Sequence, residues 1–156
     1  MAKNTIKLKK YTDVIEEFVA NAAITPGHLV EVMSTGKVRV HATAGGNVLP
    51  MFALEDELQG KGIDDAYAAN APVQVWIPNR GDIVNCLLKD GQNVAIGDFL
   101  ESAGDGTVQK HTADVTDSDD ATTVLGNQII GVAVTAVNMS GSSAADPSPR
   151  IAVRIN

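Results

Sequence analysis

A single cysteine, Cys86, stands in this 156-residue chain. One thiol cannot close an internal disulfide or build a cysteine-based zinc cluster. No stretch of 18 apolar residues occurs, so no membrane-spanning helix and no membrane partner are expected. The first ten residues, MAKNTIKLKK, carry no apolar core of a secretory signal. Aromatics are scarce: Tyr11, Phe18, Phe52, Tyr67, Trp76 and Phe99 are all there are. A core must therefore be built from Val, Ile, Leu and Ala, and the β-branched residues among them suit a pleated surface. Fourteen glycines and six prolines interrupt any long helix. Basic residues are also few and unevenly placed. Four of the 12 (Lys3, Lys7, Lys9, Lys10) lie in the first ten positions, leaving eight to face all 19 acidic side chains. A body so acidic repels phosphate backbones, so nucleic acid is not an expected partner.

What is present is a series of short alternating segments split by turn residues. DVIEEFVA (13–20) reads as a strand ended by Pro26-Gly27. LVEVM (29–33) and KVRVHA (37–42) flank the turn STG and read as a hairpin. MFALED (51–56), VQVWIP (73–78), DIVNCLLKDG (82–91), QIIGVAVTAV (128–137) and RIAVRI (150–155) read as further strands. A single short helix is expected near Asp64–Ala68, with Asp64 as its cap. PGHLVEVMSTGKVRVHAT (26–43) aligns without gaps on IGDFLESAGDGTVQKHTA (96–113), offset by 70. Gly27/Gly97, Glu31/Glu101, Gly36/Gly106, Val38/Val108 and His41/His111 are identical, which implies two similar hairpins. The expected fold is mostly β: a small barrel or sandwich of short antiparallel strands with repeated hairpins. Residues 1–12 read as an extended N-terminal arm, and 13–156 as the β-rich body. In the arm, Ile6 and Leu8 alternate with Lys7 and Lys9, with Lys10 following, and no partner strand is evident. These five residues are expected to order against a neighbouring chain, and removal of the arm is expected to leave the body folded. A solvated tail is the plain alternative.

Few residues suggest chemistry. His28, His41 and His111 lack the spacing of a zinc site. No G-x-S-x-G elbow occurs, and Cys86 in a strand reads as a buried, inert thiol. The acidic loop 114–120 lacks the order of a calcium-binding loop. Arg80-Gly81-Asp82 reads as a tight turn. Asn138-Met139-Ser140 matches a glycosylation sequon, without a sign of a secretory route. The G-D-x-L…G-x-V pattern also occurs in biotinyl and lipoyl carrier domains. Those need a lysine at a hairpin tip, where this chain has Gly104-Asp105-Gly106. No catalytic residue, metal site or cofactor is expected.

The blocks AAITPGHLVEV, GKVRVHATAGGN, FALEDELQGKGIDDAYAANAPVQVWIPNRGDIVNCLL and GQNVAIGDFLESAGDGTVQKH resemble the head decoration, or capsid cement, proteins of tailed bacteriophages. The resemblance runs over roughly residues 13–137 and returns at the last strand. It implies a non-enzymatic β-rich protein made in a bacterial cytoplasm. It also implies a place on the outer surface of the virion head, where the protein stabilises the shell against DNA pressure. The implied partners are a major capsid protein of HK97-like fold and the chain itself, as a homotrimer or alternatively a dimer. A head-fibre base or tail component is the alternative within the virion. A biotinyl- or lipoyl-like carrier is the alternative outside it.

Overall fold

The computed structural model describes residues 4–10, 13–112, 127–141 and 149–156. Thirteen short strands run through them: β1 (Lys7–Lys9), β2 (Ile15–Val19), β3 (Val30–Val32), β4 (Val38–Val40), β5 (Phe52–Ala53), β6 (Pro72–Trp76), β7 (Ile83–Leu87), β8 (Asn93–Val94), β9 (Phe99–Ser102), β10 (Val108–Lys110), β11 (Gly131–Ala133), β12 (Val137–Asn138) and β13 (Arg150–Ile155). They form a six-stranded sheet in the order β1-β7-β13-β11-β9-β10, a three-stranded sheet β2-β6-β5, and the ribbons β3-β4 and β8-β12. Every strand pairing within these sheets is antiparallel. The fold is mostly β, as the alternation implies. The six-stranded sheet ends at β1 and β10 and does not close on itself, so the arrangement is layered rather than a barrel.

The three-stranded sheet is the middle layer, and side-chain alternation sorts its residues onto two cores. Phe52, Leu54 and Trp76 point into one core, which Val84, Cys86, Leu100, Ile151, Val153 and Ile155 of the six-stranded sheet complete. Met51, Ala53, Val73 and Val75 point into the other, with Val30, Val38, Ile24 and Tyr67. A strand buried on both faces needs apolar residues at consecutive positions, which is why MFAL (51–54) is a continuous apolar run.

Three sequence expectations change. Residues 64–68 form no helix; Tyr67 bridges to Ile24 instead. The one helical turn among the described residues is a 3-10 turn, Glu57–Gln59, capped by Asp56, whose carboxylate accepts the Gln59 N–H, and ended at Gly60. The run 128–137 is not one strand. Thr135 Oγ1 accepts the Ala152 N–H at 3.2 Å, where a strand would place a backbone carbonyl. The ladder to β13 ends there, and the chain passes to the β8-β12 ribbon. The N-terminal segment does have a strand partner in its own chain. β1 is the edge of the six-stranded sheet and pairs with β7, Lys7 opposite Val84 and Lys9 opposite Ile83, with a bulge between.

Candidate functional site

The five arm residues take different places. Ile6 is fully buried in the main core. Its N–H donates to both oxygens of buried Glu55, each at 3.2 Å, and its carbonyl accepts the Asn85 N–H at 2.8 Å. Leu8 is half-buried, and Lys9 and Lys10 are exposed. Lys7 pairs with Asp13 at 3.4 Å, and Lys10 pairs with the same carboxylate. The Lys10 hydrogen bond is the largest influence holding the Asp13 carboxyl below its usual range. Lys7 also borders a cavity of about 90 Å³ with Leu54, Glu55, Glu57, Leu58 and Gln74. The segment is thus seated on its own chain before any partner is met, contrary to the expectation of an arm without an intramolecular partner.

A polar cluster lies where the two repeated hairpins meet. Offset by 70 residues, they reproduce each other's bonding. The His41 N–H donates to the Leu29 carbonyl at 2.9 Å, and the His111 N–H to the Phe99 carbonyl at 2.8 Å. Glu31 accepts from Arg39 Nε at 2.7 Å, and Glu101 from Gln109 Nε2 at 2.9 Å. Each glutamate also faces its histidine: Glu101 Oε2 lies 2.6 Å from His111 Nδ1, and Glu31 Oε2 lies 3.7 Å from His41 Nε2. The equivalence of the two histidines inferred from the repeat holds in the backbone bonding. The hairpins nonetheless sit in different sheets and dock on each other. The Leu29 N–H donates to the Gly106 carbonyl at 2.8 Å, and the Gly106 N–H to the His41 carbonyl at 3.2 Å.

Ser102, His41 and Glu31 have the residue types of a nucleophile, base and orienting acid. Their bonding commits them elsewhere. His41 Nε2 faces the Asn47 carbonyl at 3.1 Å, an acceptor only, so Nε2 carries the proton and Nδ1 accepts from Ser102 Oγ at 2.8 Å. Ser102 Oγ accepts the Gly104 N–H at 3.1 Å. The serine is fully buried and its one proton is given to the histidine. The set is a clamp between hairpins, with no room for a substrate at the hydroxyl.

The other candidates resolve in the same way. A Cβ at Gly106 would lie 2.7 Å from Val40 Cβ, and one at Gly104 would lie 2.7 Å from the Ala44 nitrogen. The 104–106 tip is therefore seated against the first hairpin, and Lys110 pairs with Asp98 at 2.8 Å. This leaves no presented lysine of the carrier type. The Cys86 thiol is buried, and that burial pushes its pKa up to about 12. Asp82 of the Arg-Gly-Asp sequence is fully buried and accepts the Asn79 N–H at 2.8 Å, the bond of a tight turn. Asn138 Oδ1 accepts from both the backbone and the hydroxyl of Ser140. Among the described residues, no three His, Cys, Asp or Glu side chains converge as metal ligands, and no helix is long and apolar enough to cross a membrane. The acidic loop 114–120 lies outside the described residues.

Two polar groups, one buried and one partly buried, had no motif to reveal them. Glu55 caps Ile6 as described. Arg150 Nη1 donates to the Pro26 carbonyl at 2.9 Å, and Nη2 donates to the Ile63 carbonyl at 2.5 Å and to Asp64 Oδ1 at 3.2 Å. The guanidinium occupies the space a Cβ at Gly27 would need, 2.4 Å away.

No protein-family model matches the chain, and no curated protein sequence matches it. Among solved structures, the fold is similar to that of the N base of the head fiber gp8.5 of bacteriophage phi29. The TM-score is 0.56 over 93% of this chain and 95% of that one, at 13% identity. At that identity the likeness is one of fold.

Proposed function

We propose that this chain is a structural protein of a tailed-phage virion, seated on the outside of the head as the base of a head fibre. The observation that carries the reading is the fold it shares, nearly end to end, with a head-fibre base. The sequence blocks that resemble head decoration proteins point to the same part of a virion, reached independently. The two sources differ on the finer role. The fold likeness extends over 93% of this chain and 95% of the other and favours the fibre base over a cement that coats the lattice.

The role asks for binding rather than chemistry, and the polar clusters are committed to holding strands together. The partner in this reading is a major capsid protein of HK97-like fold. A protein that binds only the assembled shell stabilises it by linkage, and copies repeated on a lattice gain avidity.

The experiment is to mix the purified protein with expanded heads that lack it and to image them by cryo-electron microscopy. A fibre base is expected to bind at symmetry-defined points and project outward. Binding at every capsomer as a flat layer would instead favour the cement role. A chain that does not sediment with heads would overturn both.

A further inference from the structure

We infer that this chain associates head to tail with copies of itself, the outer face of the six-stranded sheet on one copy meeting strand β2 on the next. The outer face carries one row of side chains across five strands. Lys9 stands opposite Ile83, Ile83 opposite Arg154, Arg154 opposite Val132, and Val132 opposite Phe99. Directly opposed residues of an antiparallel pair project to the same face, so the row is a continuous band about 19 Å wide at the usual strand spacing. Of its apolar members Phe99 is exposed, and Ile83 and Val132 are half-buried. Phe99 is 52% exposed, and Ile96 in the adjoining turn is 69% exposed. Its charged members, Lys9 and Arg154, are exposed and both cationic, on a chain whose net charge is −7.

The complementary surface lies on another sheet. β2 is an edge strand that pairs with β6 alone. Ile15, Glu17 and Val19 alternate onto one face of it and are all exposed, with Glu16 and Val14 beside them. The triplet Ile15-Glu17-Val19 reads apolar, acid, apolar. At the centre of the band, Ile83-Arg154-Val132 reads apolar, cation, apolar. None of the ion pairs among the described residues uses Arg154, Glu16 or Glu17. The charges are opposite, the apolar flanks match, and the patches lie on separate sheets. A second copy of the same chain supplies what each patch lacks. Contact between two different patches is heterologous, so it propagates and closes as a ring when the rotation permits. The inference rests on the two surfaces alone and is independent of the role proposed above.

Charge exchange tests it. Dissociation constants are measured by analytical ultracentrifugation for the full chain, for R154E, for E17R and for the double variant R154E/E17R, with circular dichroism and melting confirming the fold of each. Both sites are exposed, so all four proteins are expected to fold. Each single variant places like charges together and is expected to weaken association at least about tenfold. The double variant carries both exchanged faces on every copy and is expected to return to within about threefold of the parent. A monomeric parent chain would mean that the band serves a different partner and would overturn the inference. So would association that neither single variant weakens, or a double variant that stays as weak as the singles.

Discussion

His28 shows how one partly buried ring ties stability to pH. Its Nδ1 accepts the Thr25 N–H at 3.0 Å, which requires the ring to be neutral there. Burial is the main reason its pKa lies near 4 rather than the ordinary 6.5, with Arg150 adding to it and Asp105 opposing. Between those values the unfolded chain takes up a proton that the folded chain refuses. The contribution of this group is therefore complete above pH 6.5 and is lost as pH falls toward 4. The full shift corresponds to about 3 kcal/mol as an upper bound. Urea midpoints measured from pH 7 to pH 4.5 are expected to fall, and H28N, which keeps an acceptor but cannot titrate, is expected to flatten that fall. The carboxylates Asp13 and Asp98, held low chiefly by Lys10 and Lys110, lose their support only at more acidic pH. The repeat offers a second residue-scale test. Gly36 and Gly106 occupy equivalent positions at φ 78° and 82°. A Cβ at Gly36 meets nothing, whereas one at Gly106 meets Val40. G36A is expected to cost about 1–2 kcal/mol for the left-handed backbone. G106A should cost that and about 1–3 kcal/mol more for overpacking. Equal losses in thermal melts would mean that the hairpins are not docked as described.

Among the elements, β1 carries the largest change from the sequence reading. Removing residues 2–10 takes Ile6 out of the main core and strips buried Glu55 of the N–H that both its oxygens accept. Loss of a buried isoleucine alone costs about 2–5 kcal/mol, and an unpartnered buried carboxylate adds to it. The truncated chain is expected to melt well below the parent; an unchanged melting temperature would show that β1 is a tail after all. The reason this strand was illegible is distance. KLK advertises a strand, but its partner IVNCL lies more than seventy residues further on, and nothing in either segment names the other. Local signals fared better. The hairpin 29–42 was legible because apolar alternation and a glycine turn sit side by side, and RIAVRI because it alternates without interruption. The helix expected at 64–68 failed because Tyr67 finds a buried bridge to Ile24 and a bond from its hydroxyl to the Leu54 carbonyl, and that tertiary demand outweighs a local cap. The clamp was half legible: the repeat identified His41, His111 and their glutamates, but Ser102 has no counterpart in the first hairpin, where Val32 stands.

At the scale of the whole molecule, the described residues divide their polar and apolar side chains between the inside of the three layers and their edges. Ser102, His41, Asp82 and Cys86, whose side chains could in principle do chemistry, are all buried in bonding that holds strands and turns together. Exposed apolar side chains are instead spread over edges and turns, on Val32, Leu49, Leu58, Ile96 and Phe99. The six-stranded sheet also sets a timetable. Its inner strand β7 lies between β1, from the beginning of the chain, and β13, from residues 150–155. During synthesis the β3-β4 hairpin and the β2-β6-β5 sheet have all their strands once residue 76 has left the ribosome, but β7 must wait for β13. Such distant pairing slows folding and prolongs the exposure of unpaired edges. For as long as it takes to make the residues between Leu87 and Arg150, one side of β7 has no strand to pair with.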